Sequence, residues 1–146
     1  FKYVSLQDLL KESDIVSLHC PQTNSSEGLI SEENLKLIKP SALLINTAGG
    51  RLIDTEAVIE ALKTNRLRGY AADVYEHEKG IFGQDLSSLD MVKDPLLKEL
   101  IGLPNVLLTA HLAFFTHEAM QQTAYTIINE LTFYEEISSG TQKLII

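Results

Sequence analysis

Four short runs rich in Val, Ile, Leu and Ala set the strongest limit on what this chain can fold into. They are "DIVSLHC" (14–20), "ALLINTA" (42–48), "GYAADVY" (69–75) and "NVLLTAH" (105–111). Their apolar residues run nearly continuously rather than alternating, the pattern of parallel strands covered on both faces. Helix-like stretches with recognisable starts lie between them. Ser5 with Asp8 makes a capping-box-like pattern ahead of "LQDLLKES", Ser31 opens "EENLKLIK" and Asp54 is placed to cap "TEAVIEALKTN". Gly69 falls where the last of these helices should stop and turn into the next strand. The alternation predicts an α/β fold: a parallel sheet with right-handed crossovers and flanking helices.

Residues 76–104 are less regular, with a Gly-, Ser- and Asp-rich surface excursion, "EHEKGIFGQDLSSLD", and then a short helix near "DPLLKELIG". A long amphipathic helix is expected over about 116–137, with Ala119, Ala124, Ile127, Ile128 and Leu131 at helical spacing as core or interface packing. It should end before Gly140, and the apolar tail "TQKLII" should pack on the domain or on a partner. The chain reads as a single domain over 1–146.

Composition narrows the partners. Twenty acidic against 12 basic side chains give a formal net charge of -8, which repels nucleic acid and anionic membranes. No apolar run approaches the roughly 20 residues that span a bilayer. The single cysteine, Cys20, cannot form an internal disulfide, and the start "FKYVSLQDLL" lacks the pattern of a signal peptide, so a reducing cytoplasm is the expected location. Four scattered histidines have no metal-ligand spacing, and no metal is expected.

In open α/β sheets ligands bind at the carboxyl ends of the strands, so the polar residues there carry the functional signal. The four ends hold His19-Cys20-Pro21, Asn46-Thr47-Ala48-Gly49, Asp73 with Glu76 and Glu78, and Thr109-Ala110-His111. A histidine and a carboxylate at neighbouring strand ends can pair, the acid orienting a ring that gives and recovers a proton near neutral pH. On residues alone His111 reads first as an ordinary hydrogen-bonded core histidine, Asp73 equally as a helix or turn cap, and Glu76, Glu78, Asp85 and Asp90 as a solvated acidic loop. His19 reads as structural, His77 and His117 as solvent-facing, and Cys20 as a small apolar filler with no general base beside it.

The segments "LLKESDIVSLHCPQT", "LLINTAGGRLIDTEAVIEALK", "GYAADVYEHEKGIF" and "PNVLLTAHLAFFTHEAM" resemble, in order and spacing, the D-isomer-specific 2-hydroxyacid dehydrogenases, most closely the NAD-dependent D-lactate dehydrogenase branch. The resemblance implies the second half of a Rossmann-type NAD-binding domain and hydride transfer between NADH and a 2-keto acid such as pyruvate. It places cofactor contacts at Cys20, Pro21, Thr47, Ala48, Asp73 and Ala113. It makes His111 the acid/base and Glu78 the partner that holds its proton.

The resemblance also marks two departures. The family's substrate-binding arginine stands in an Asn-x-x-Arg-Gly motif, which here reads Asn46-Thr47-Ala48-Gly49-Gly50, so Gly49 replaces it; Arg51, two places downstream, reads most simply as a solvated loop arginine, the alternative being that it compensates for Gly49. The Gly-rich phosphate-binding turn, the ribose-binding acid and the substrate domain precede this region in the family and are not in the sequence. The expectation is a fragment or truncated homologue, inactive alone and weak toward NAD. Its unpaired strand at 14–20 or its C-terminal helix should drive it to a homodimer. The alternative is a catalytically dead folded module that self-associates or binds a protein partner.

Overall fold

In the computed structural model, residues 2–84 and 88–139 are described. Asp85, Gly140 and the tail "TQKLII" lie outside them. The chain divides into two compact units, Phe1–His111 and Leu112–Ile146.

The first unit alternates helix and strand: α1 (Leu6–Glu12), β1 (Ile15–Leu18), α2 (Glu32–Leu35), β2 (Leu43–Asn46), α3 (Thr55–Lys63), β3 (Gly69–Ala72), α4 (Pro95–Gly102) and β4 (Val106–Leu108). All three strand pairings are parallel and the order is β1-β2-β3-β4, with Leu18, Asn46, Ala72 and Leu108 level across the sheet. Each strand stops short of the run that announces it in the sequence, because the residues at its carboxyl end leave the ladder to form loops.

The expected caps are formed. The Asp8 amide donates to Ser5 Oγ (3.1 Å), the Asn34 amide to Ser31 Oγ (3.3 Å) and the Ala57 amide to Asp54 Oδ1 (3.0 Å). Asp94 caps α4 in the same way, receiving the Leu97 amide at 2.9 Å. Two boundaries differ from the sequence reading. The α2 helix closes at Leu35 and not near Lys39, consistent with the bias of a residue preceding proline, here Pro40, against helical backbone. The left-handed turn after α3 is made by Asn65 (φ 57°), so Gly69 is free to begin β3.

One face of the sheet carries the core. Val16, Leu18, Leu44 and Ala72 are buried, together with Leu10, Ile30, Leu52, Val58, Leu67 and Leu100. Burying each of the larger side chains is worth about 1.5–3 kcal/mol. The opposite row is open: Ile15 is 59% exposed and Leu107 66%. The expectation of cover on both faces is therefore not met among the described residues. Topology supplies the reason. Strands laid side by side in chain order with right-handed crossovers put every connecting helix on the same side, and α1 to α4 contact one another in succession.

The second unit is dominated by α5 (His117–Ser138), whose start is capped by Thr116 Oγ1 accepting the Ala119 amide (3.2 Å). It matches the expected span within one residue at each end. None of its residues is buried, including the expected packing stripe of Ala119, Ala124, Ile127, Ile128 and Leu131.

Candidate active site

Three loops meet at the carboxyl edge of the first unit. The loop after β2 is shaped by Asn46, which is wholly buried. Its Oδ1 accepts the amides of Ala48 (3.1 Å) and Gly49 (3.3 Å), and its Nδ2 donates to the Gly49 carbonyl (2.9 Å). One side chain thereby replaces the hydrogen bonds the strand would have made. Gly50 then passes so close to the next loop that a Cβ there would lie 2.2 Å from the Tyr75 carbonyl carbon and 2.4 Å from the Glu76 nitrogen. Only glycine fits.

The loop after β1 is tied to this one by backbone bonds. The Gly28 amide donates to the Arg51 carbonyl (2.9 Å), the Ile30 amide to that of Leu52 (2.9 Å) and the Asp54 amide to that of Ile30 (3.1 Å). This brings Gln22 and Glu27 against residues 49–51. Gln22 Oε1 accepts the Arg51 amide at 3.1 Å. The Arg51 guanidinium donates through Nε (3.0 Å) and Nη2 to Glu27 Oε1.

Across the edge stands His111. Its amide donates to the Asp73 carbonyl (2.7 Å) beyond the end of the β3–β4 ladder, out of the ladder's regular register, and its φ of 55° is left-handed. A non-glycine residue held there costs of order 1 kcal/mol or more and persists where neighbouring contacts over-determine it. Two such contacts are present: the backbone bond to Asp73, and Nδ1, which lies 2.7 Å from Glu78 Oε1. The other Glu78 oxygen accepts the Tyr75 amide (3.0 Å), so both carboxylate oxygens are engaged and the acid cannot swing away freely.

The pair fixes the tautomer. A carboxylate only accepts, so the Nδ1 nitrogen carries hydrogen in either charge state of the ring. Nε2, which has no partner among the described residues, is left as the atom that can gain or lose a proton. His111 lines an open depression of about 320 Å³ together with Gln22, Gly49, Val74, Glu78 and Lys79.

The remaining sequence-predicted residues are distributed as follows. Cys20 is half-buried and packs against the core, Pro21 is exposed after β1, and Thr47 (exposed) and Ala48 (half-buried) follow β2. Asp73 is buried and accepts the Thr109 hydroxyl. Ala113 belongs to the second unit. His77 and His117 face solvent as expected, and His19, also exposed, bonds Ser17 Oγ through Nε2 (2.8 Å). No group of three metal-ligating side chains occurs among the described residues.

Sequence reasoning missed Tyr75 and Gln22. The buried Tyr75 donates its hydroxyl to Asp94 Oδ1 (2.9 Å) while its amide holds Glu78. Burial first, and then the Asp94 carboxylate, push its phenol well above the ordinary range. The only signal for Tyr75 in the sequence is its place at the end of an apolar run. Gln22 gives none, because its role depends on a contact 29 residues away.

Residues 1–113 match the family D-isomer specific 2-hydroxyacid dehydrogenase, NAD binding domain. The chain belongs to that family. It is 43% identical over 132 residues to a 2-hydroxyacid dehydrogenase homolog of Zymomonas mobilis, covering 90% of this chain and 40% of that protein. A D-lactate dehydrogenase from Sporolactobacillus superposes with a TM-score of 0.88 at 37% identity, over 97% of this chain and 42% of that one. The NAD-complexed D-isomer specific 2-hydroxyacid dehydrogenase of Lactobacillus delbrueckii gives a TM-score of 0.85 at 37% identity, with the same coverage. The chain thus spans about two fifths of the length of these relatives. No helix among the described residues is long and apolar enough to cross a membrane.

Proposed function

We propose that this chain carries the acid/base and nicotinamide side of an NAD-dependent D-2-hydroxyacid dehydrogenase. The observation that carries the reading is the His111 Nδ1–Glu78 Oε1 contact of 2.7 Å at the carboxyl edge of a parallel sheet, with Nε2 left free. A nicotinamide dinucleotide supplies the hydride when bound. The residues present fit its nicotinamide end: Ala48 and Val74 give apolar wall to the depression, and Cys20, Pro21, Thr47 and Asp73 follow the same strand ends. The eight glycines contain no G-x-G-x-x-G. As hydride reaches the carbonyl carbon of a 2-keto acid, His111 Nε2–H gives its proton to the carbonyl oxygen, producing the 2-hydroxy acid. Glu78 keeps the ring aimed and holds hydrogen on Nδ1.

The test is a calorimetric titration of the purified chain with NADH, checked by cofactor fluorescence. Saturable binding supports the reading. No binding by either method would mean that the chain by itself keeps the fold without the chemistry.

A second reading is favoured by a separate observation. The β1 edge has no strand partner among the described residues, and Ile15 beside it is 59% exposed, while α5 buries none of its apolar residues. These surfaces suit a folded module that forms a homodimer or binds a protein. Light scattering decides, and a strictly monomeric mass at all concentrations opposes self-association.

A further inference from the structure

We infer that the anion-binding residue of this site is Lys79, in place of the arginine missing at position 49. The inference takes its ligand class, a small 2-keto acid, from the dehydrogenase reading. A carboxylate brought beside His111 meets Glu76 and Glu78 in the same walls, so it needs a cation. Two cations line the depression, Arg51 and Lys79.

Arg51 is engaged elsewhere. Its Nε and Nη2 both point to Glu27 and its amide to Gln22, on the side of the loop after β1. A planar guanidinium binds a carboxylate well only when its fork is aimed at it. The position that would aim one carries no side chain, and the Gln22 side chain stands in its place: a Cβ on Gly49 would lie 2.7 Å from Gln22 Oε1 and 2.9 Å from Gln22 Cβ, so an arginine there would first have to displace it. Gln22 occupies the start of the path an arginine would take.

Lys79 is placed differently. It directly follows Glu78, the residue bonded to His111, inside a turn closed by the Ile81 and Phe82 amides donating to the Glu78 carbonyl (2.9 and 3.0 Å), with Gly80 at φ 80°. Its ammonium makes no hydrogen bond or ion pair among the described residues. The same short turn therefore carries the group that orients the acid/base and the only uncommitted cation in the depression's walls. An ammonium on a flexible stem binds a carboxylate as a point charge and not through a fixed fork. This predicts a looser and less shape-selective grip than an arginine gives.

The experiment follows His111 ring resonances by NMR while oxamate, a pyruvate-sized anion, is titrated into the purified chain with and without NADH. Saturable shifts are expected in the wild type. Lys79→Met should weaken the oxamate midpoint by about tenfold or more, while Lys79→Arg, which keeps the charge, should stay within about threefold. Arg51→Met should leave it within about twofold. No oxamate response in the wild type, or a midpoint indifferent to Lys79→Met, overturns the assignment, as does loss of binding in Arg51→Met alone. The two readings fail separately. NADH binding with oxamate indifferent to Lys79 keeps the dehydrogenase reading and sinks this one. A Lys79-dependent oxamate shift without NADH binding does the reverse.

Discussion

The two sides of the depression are built from different materials. On the His111 side, position is set by backbone: the His111 amide on the Asp73 carbonyl, the Tyr75 amide on Glu78, and the turn from Glu78 to Phe82. On the Gly49 side, the backbone is equally well held by Asn46, but what it presents depends on single side chains, with Gln22 and Glu27 taking the space and the charge. The backbone that places His111 and Glu78 therefore rests on bonds that a side-chain substitution leaves in place, and only the aim of the ring depends on one side chain, Glu78. An anion grip rests on one side chain and can be lost or moved without disturbing the fold.

The sharpest way to break this contrast is at the seam between the sides. Gly50→Ala drives a methyl into the Tyr75–Glu76 peptide, where only backbone can yield. A loss of about 3 kcal/mol or more is expected in urea unfolding, at the upper end for overpacking. Gly49→Ala meets only the Gln22 side chain, and its φ of -164° is ordinary extended backbone, so it should cost about 1 kcal/mol or less. Equal losses would mean that the seam is not rigid. Asn46→Ala comes next: it strips partners from two amides and a carbonyl at a fully buried position. About 2–3 kcal/mol should disappear, and a loss below about 1 kcal/mol would show that the loop is held by something else.

Alkaline pH probes the His111 side, because Tyr75 supports Glu78. Burial first, and then Asp94, raise the Tyr75 phenol from its ordinary 10.0, and burial raises Tyr70 as well. A raised folded value means that the associated stability is complete below about pH 10 and is lost as pH rises toward the folded value. Stability should therefore decline as pH rises above about 10, with both phenols contributing. Tyr75→Phe should make the decline of Tm above pH 10 shallower. An identical slope in the variant would remove Tyr75 from this account.

Legibility in the sequence follows the range of the interactions. The caps at Ser5, Ser31 and Asp54 and the span of α5 were readable because each depends on neighbours within a few residues. The strand-end residues were readable as a set, since a parallel sheet gathers them on one edge. Two features were hidden. The open sheet face around Ile15 and Leu107 follows from strand order, which no local pattern encodes. The closure of Gly49 by Gln22 and of Gly50 by Tyr75 joins segments some 25 residues apart in contacts that depend on loop paths. The departure at Gly49 was visible as a letter. Its physical meaning, space already filled, was not.

The smallest effects concern the two ion pairs, and their contrast is the finest test of the comparison. The Arg51–Glu27 pair is solvent-facing on both sides, so Arg51→Met should change stability by no more than about 1 kcal/mol. Glu78→Gln should be similarly mild in stability, since the His111 ring is more than half exposed and the pair is discounted by solvent. The two variants should differ at His111. An amide can present its NH2 to Nδ1, so Glu78→Gln frees the ring to place hydrogen on Nε2 instead. Nitrogen-detected NMR should then show the neutral imidazole shifting from the Nδ1–H form toward the Nε2–H form, while Arg51→Met leaves the tautomer unchanged. If both variants leave it unchanged, Glu78 is a neighbour of His111 and not the group that orients it. If both alter it, the two sides of the depression are coupled and the division between them fails.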